Sequence, residues 1–158
     1  MITQWIQQYQ TGAQKLRDAI ASLSREQLSW KPPAESNIGR WSIHEIVIHM
    51  ADSDAIGVHR IKRVIAEDKP LLIGYDETGF VRSLCYDEQS ADEALTLFDL
   101  ARRSVLPALL AMPAEGFART GIHNEIGAVR LDQFVQKYVE HLNHHLDYIQ
   151  RKRSAMNV

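Results

Sequence analysis

Tyr138-Val139-Glu140-His141-Leu142-Asn143-His144-His145-Leu146 lies within a helical pattern that runs from residue 131 to about residue 152. Leu131, Phe134, Val135, Tyr138, Leu142 and Ile149 recur at helical spacing and define one apolar face. A helix with one apolar face must bury it against other elements. At ~100° per residue, His141 and His145 fall within roughly 80° of the centre of that face, and His144 falls roughly 140° away. His141 and His145 are four apart, so their imidazoles point the same way, one turn above the other. That is the simplest way for one helix to offer two ligands to a transition metal. Zinc sites use it, and imidazole also suits nickel, copper and iron. Two imidazoles near an inner face are costly to bury unless something pairs with them. Taken alone, the pair reads equally well as metal ligands and as satisfied core or surface histidines.

Three further long helical patterns precede this one. The first runs from about residue 3 to about residue 23, with Ile6, Tyr9, Ala13, Leu16 and Ile20 on one face. Ser24-Arg25-Glu26-Gln27-Leu28 then carries a capping-box pattern for a short helical turn, which Pro32-Pro33 stops. Residues 34–40 read as a loop, with Gly39 easing a turn. Ser42, with Glu45 three residues on, caps the second long helix. Its buried stripe is Ile43, Ile46, Val47, Met50, Gly57, Ile61, Val64 and Ile65, and it ends near Glu67 ahead of Pro70. Residues 71–89 form a long irregular connection with one short helix, a length that is often functional. Ser90 and Glu93 open the third long helix, followed by Ala94, Leu97, Phe98, Ala101, Val105, Ala108 and Leu109. Pro107 inside it predicts a kink or an early stop. Residues 120–130 read as two short extended pieces around a turn. Four amphipathic helices without a central sheet predict an all-α four-helix bundle with a long irregular connection between helices two and three.

The whole chain sets the bounds. At 158 residues it reads as one domain, residues 1–158, with length enough for a core without disulfides. The net charge of -2 comes from interspersed acids and bases, with no basic stripe for nucleic acid. Cys85 is the sole cysteine, so no internal disulfide forms, which suits a reducing cytoplasm. Residues 1–9 are amphipathic and polar, without the basic start and apolar core of a signal peptide. No apolar run is long enough to cross a bilayer. The expected location is the cytoplasm.

Seven histidines need sorting. A third ligand on another helix would complete a three-nitrogen site, and the chain offers His49. It lies roughly 110° from the centre of its helix's apolar stripe, where a lone histidine reads as a partly exposed polar residue. His44 and His59 point further out and read as solvated. His123 reads as a turn residue, ahead of a substrate contact or a partner to a ligating imidazole. Cys85 has no base beside it in the sequence and reads as a small buried side chain. His44 and His49 are five apart, so they diverge and do not make a zincin helix. Trp5, Trp30 and Trp41 read as core or lid residues.

Leu28-Ser29-Trp30-Lys31-Pro32, followed by Trp41-Ser42-Ile43-His44-Glu45-Ile46-Val47-Ile48-His49-Met50-Ala51-Asp52, resembles the opening of DinB-like proteins. Gly121-Ile122-His123-Asn124-Glu125-Ile126-Gly127, then Tyr138 and the run from His141 to His145, resembles the other end. The resemblance covers most of the chain. It implies a four-helix bundle, a homodimer, and a three-histidine site for a divalent metal, whose ligands fall on His49, His141 and His145. It also implies one of two chemistries: hydrolysis, or transfer of a low-molecular-weight thiol to an electrophile. The thiol-transferring branch often has Trp before the first histidine of the last helix, where this chain has Glu140.

On this reading the chain is a metal-dependent enzyme with one divalent transition metal, zinc or nickel ahead of iron or manganese. The metal brings the pKa of a bound water or thiol toward neutrality. A non-catalytic metal-binding or stress-response bundle is the alternative. Partners are a small-molecule substrate, with a thiol among the candidates, and a second copy of the chain; nucleic acid and membrane are not expected. No catalytic side chain is assigned. Asp52 and Glu45 share His49's helix but not its face, and are expected at most to hydrogen-bond a ligating imidazole.

Overall fold

The computed structural model describes residues 2–158. Its long helices are α1 (Ile2–Ile20), α3 (Ile43–Ala66), α5 (Ala91–Ala111) and α6 (Leu131–Met156), with short helices α2 (Arg25–Ser29) and α4 (Glu77–Ser83) between them. The expected caps are in place. Ser24 Oγ accepts from Gln27 N–H while Gln27 accepts from Ser24 N–H, and Ser42 and Glu45 do the same at the start of α3. Ser90 accepts from Glu93 N–H and opens α5. Each cap satisfies backbone donors that have no partner inside the helix.

Helices α1 and α3 each pack against both α5 and α6, so the four long helices form the expected bundle. No described helix is long and apolar enough to cross a membrane. Two buried clusters fill the bundle, one around Tyr9, Ile61, Phe134 and Val135, the other around Leu16, Ile46, Phe98 and Ile149. At Gly57 on α3 an added Cβ would lie 2.3 Å from Cζ of Tyr138, so the Tyr138 ring of α6 lies directly on the α3 backbone. That close approach requires glycine.

Helix α5 departs from its sequence pattern. Leu97 is exposed, while Arg102 is almost wholly buried. Arg102 Nε donates to Asp54 Oδ1 at 2.7 Å and Nη2 to Asp54 Oδ2 at 3.2 Å. Nη1 donates to the Tyr9 carbonyl and Nη2 to the Tyr138 carbonyl, both at 3.1 Å. The guanidinium carbon lies 4.4 Å from the Tyr9 ring centre and 4.3 Å from that of Phe98. An amphipathic pattern has no place for this residue, because its burial depends on acceptors from three other helices. Pro107 does not stop α5 either. The helix runs on to Ala111 because Val105 and Leu109, both buried, hold the segment in the core on either side of the proline.

The bundle also carries a small three-stranded sheet. Strand β1 (Leu71–Leu72) runs parallel to β2 (Thr120–His123), and β2 pairs antiparallel with β3 (Gly127–Arg130). The hairpin was expected; β1 was not, since two residues are too short for a periodic signal. Gly74 N–H donates to Asn124 Oδ1 at 2.7 Å, tying the long connection to the hairpin turn.

Breaking the buried ion pair on one side leaves an uncompensated charge. Asp54→Ala or Arg102→Ala is expected to cost about 3–5 kcal/mol, read as a lower midpoint in urea unfolding. Gly12→Ala is expected to be damaging as well, because an added Cβ would lie 2.0 Å from Arg102 Nη1.

Candidate metal centre

Helix α3 carries His49 two turns beyond its capped start. His49 is fully buried, contrary to the expectation of partial exposure. Its helix is covered on several sides, with Ile46, Val47, Ile48, Met50 and Ala51 all buried, so the centre of the apolar stripe did not mark the limit of burial. Helix α6 carries His141 and His145 on the side facing α3, while His144 is exposed, as its helical phase predicts.

The three imidazoles converge. His49 Nε2 lies 3.2 Å from His141 Nε2, and His145 Nε2 lies 3.0 Å from the same atom. These ring nitrogens form a group of candidate metal ligands. Two imidazole nitrogens held at about 2.0–2.1 Å from one ion, at angles between roughly 90° and 109°, sit about 2.8–3.4 Å apart. All three ligand atoms lie within 4.8 Å of one another, and both separations from His141 Nε2 fit a small divalent transition ion. Without one, three ring nitrogens facing a common point leave a lone pair or an N–H poorly matched.

Burial pushes the His49 pKa down to about 4. Burial first, then neighbouring His49 and His144, pushes His141 to about 3. Burial first, then His141 and His49, pushes His145 to about 2. All three are neutral at pH 7, the form that ligates metals.

The surroundings are asymmetric. Trp41, one residue before the α3 cap, lies against His49 at 4.9 Å between ring centres and parallel to His145 at 6.2 Å. Lys152 anchors the approach to Trp41: its buried ammonium donates to the Ile38 carbonyl and sits 5.2 Å from the Tyr148 ring. Burial lowers the Lys152 pKa to about 8. The expected turn at Gly39 is present, at φ 77°. On the other side His141 Nδ1 lies 3.4 Å from Ser53 Oγ. Beyond them opens a cavity of about 120 Å³, with Arg60, Tyr75, Glu77, His123 and Lys137 in its lining.

Several sequence expectations are corrected here. Asp52 accepts the Tyr86 hydroxyl at 2.5 Å, and Glu45 serves the α3 cap and Lys31, so neither hydrogen-bonds a ligand imidazole. Ser53, one turn beyond His49, makes that contact instead. His44 is not simply solvated, since its Nε2 bonds the Tyr86 carbonyl at 2.9 Å. Cys85 is exposed, not buried, because it occupies a left-handed turn at φ 51°. His123 is buried at the end of β2 and is no turn residue; alternation along the strand turns Gly121 and His123 inward. Tyr75, Glu77 and Glu125 reach the cavity only through the sheet, and only the unusual length of the connection hinted at them.

The family model of the DinB superfamily matches residues 8–149. This chain belongs to the DinB superfamily. A relative from Oceanobacillus iheyensis, named as a putative metal-dependent hydrolase, is 25% identical over 149 residues, covering 94% of this chain and 84% of that protein. A Bacillus cereus relative of the same name is 26% identical over 157 residues, covering 99% of this chain and 88% of its own. Among solved structures, YfiT from Bacillus subtilis, described as a probable metal-dependent hydrolase with an unusual four-helix bundle topology, superposes with a TM-score of 0.89 at 23% identity, covering 99% of this chain and 87% of that one. The DinB-like bundle is thereby the fold of this chain.

The depressed imidazole pKa values set a pH window. The unfolded chain takes up protons at its histidines near pH 6.5, before the folded protein does. Stability of the metal-free protein, full above about pH 6.5, should fall as the pH drops toward 4. Urea unfolding in the presence of a chelator at several pH values measures it. A midpoint unchanged between pH 7.5 and pH 5 would contradict the assignment.

Proposed function

We propose that this DinB-superfamily chain is a metal-dependent hydrolase of a small ester or amide, with His49, His141 and His145 holding one divalent transition ion through Nε2. The observation that carries the reading is the convergence of three neutral imidazoles beside a cavity. The names of its relatives agree with it. Bound there, zinc or nickel supplies Lewis acidity and brings the pKa of a water toward neutrality.

The protein's own groups do the rest. Ser53 Oγ, against His141 Nδ1, holds that ring in orientation. Trp41 packs against His49 and lies parallel to His145, and with Tyr148 it lines a second, largely apolar cavity on that side. The cavity on the His141 side receives the substrate, where Arg60 and Lys137 offer donors to its oxygens. Glu77 lies in the same lining; burial raises its pKa against the pull of Lys137 and Arg60, which suits it to accept a proton.

Elemental analysis of untagged protein should find about one transition ion per chain. His49→Ala, His141→Ala and His145→Ala should each lower affinity at least tenfold in competition with a chromogenic chelator, and His144→Ala should stay within a few-fold. Loss of metal from His144→Ala with retention in His145→Ala would sink the site. The loaded protein, assayed on simple esters and amides and in parallel on thiols with electrophiles, should turn over the first panel. Turnover confined to the second would replace hydrolysis by thiol transfer.

The proposal includes a homodimer. Leu97 and Leu100 stand exposed on α5 and offer it an apolar face. Light scattering at micromolar concentration should give twice the chain mass; a monomer mass would refute it.

A further inference from the structure

The cavity beside the three imidazoles holds a fourth histidine whose proton position is set by the backbone. Glu125 N–H donates to His123 Nδ1 at 3.2 Å. A backbone N–H needs a lone pair to donate to, so Nδ1 carries no proton. A neutral ring then has its hydrogen on Nε2, and among the described residues Nε2 has no hydrogen-bond partner. His123 is buried at the end of β2, and the ring contributes to the same cavity wall as His141. Its surroundings keep it neutral: burial lowers its pKa first, Arg60 and Lys137 add to that, and Glu125 opposes. Arg60 is also only partly used. Its Nη1 donates to the Tyr138 hydroxyl and its Nη2 to the Ile73 carbonyl, but its buried Nε has no partner. The His123 ring thus leaves one N–H donor unused in this cavity wall, to which a ligand oxygen would be the natural complement.

We infer that His123 donates a hydrogen bond from Nε2 to the reacting carbonyl oxygen of the substrate in this cavity. The inference rests on the hydrolase reading above. In that reaction a water oxygen forms a bond to the carbonyl carbon, and the carbonyl π pair moves onto its oxygen. His123 Nε2–H, its proton fixed by the Glu125 amide on the other nitrogen, holds the charge that develops there. The pair then returns, the bond to the leaving group breaks, and the leaving group departs with the proton that the water gave up. A neutral donor suits this role because it strengthens its bond as charge develops without itself losing a proton.

Two measurements test it. In metal-free protein at pH 7, nitrogen NMR of ¹⁵N-histidine-labelled chain should show His123 neutral with its proton on Nε2. A proton on Nδ1, or on both nitrogens, overturns the inference whatever the metal does. In protein loaded with cobalt(II), acetate serves as the oxygen probe and the visible spectrum reports its binding. His123→Phe should weaken acetate about tenfold, the worth of one hydrogen bond, with cobalt affinity unchanged. His123→Gln, which keeps an N–H donor, should bind acetate within a few-fold of the wild type. Equal acetate affinity in the Phe variant, with cobalt bound, overturns the inference and leaves the three-histidine site standing. Failure of the wild type to take up cobalt overturns the three-histidine site, and this inference with it.

Discussion

One guanidinium sets the register of this bundle. Arg102 of α5 reaches Asp54 of α3, the Tyr9 carbonyl of α1 and the Tyr138 carbonyl of α6, and lies between the rings of Tyr9 and Phe98. It touches all four long helices. A buried ion pair is not by itself a source of stability, because desolvation offsets most of its Coulombic gain. Its geometry is demanding, however, and sliding any one helix would strand a charged or polar group in the core. Asp54 is five residues beyond His49, and Tyr138 is three residues before His141. The same contacts that satisfy Arg102 therefore hold the two histidine-bearing helices in alignment. Gly57, under the Tyr138 ring, lets them come close enough for the imidazoles to meet.

The three-histidine cluster has cavities of different character on two sides. Trp41, Tyr148 and Lys152 line one together with His145. Ser53 and His141 line the other with the polar groups of the connections. Metal sites that only support a fold are closed by four protein ligands, whereas reactive ones leave a position open. Under the proposed function, three convergent ring nitrogens with a polar cavity alongside correspond to the second arrangement.

The residues that distinguish this cavity come from the connections between helices. The long segment after α3 supplies Tyr75 and Glu77, and the hairpin before α6 supplies His123 and Glu125. Strand β1 pairing with β2, and Gly74 bonding Asn124, bring the two together. Function concentrating in loops positioned by a rigid scaffold is the usual division of labour. Here the long helices supply the three histidines with Ser53, Arg60 and Lys137, and the connections complete the cavity wall with Tyr75, Glu77, His123 and Glu125.

Much was legible in the chain itself. Caps at Ser24, Ser42 and Ser90, apolar spacing and the Pro32-Pro33 break located the helices, because those signals are local and need no partner. The spacing of His141 and His145 showed that they share a face and that His144 does not. Their joining with His49 rested on resemblance, since its helical phase alone placed it at the border of the stripe. Tertiary structure decided what depends on neighbours. Arg102 is buried because acceptors from three other helices surround it, and Leu97 is exposed because nothing covers it. Cys85 is exposed by the left-handed turn it occupies, and His44 is engaged by a carbonyl 42 residues away. His123 gained its place in the cavity from strand alternation and its proton position from the Glu125 amide. Periodicity reports which face of a helix or strand a residue occupies; what meets that face is set by the rest of the chain.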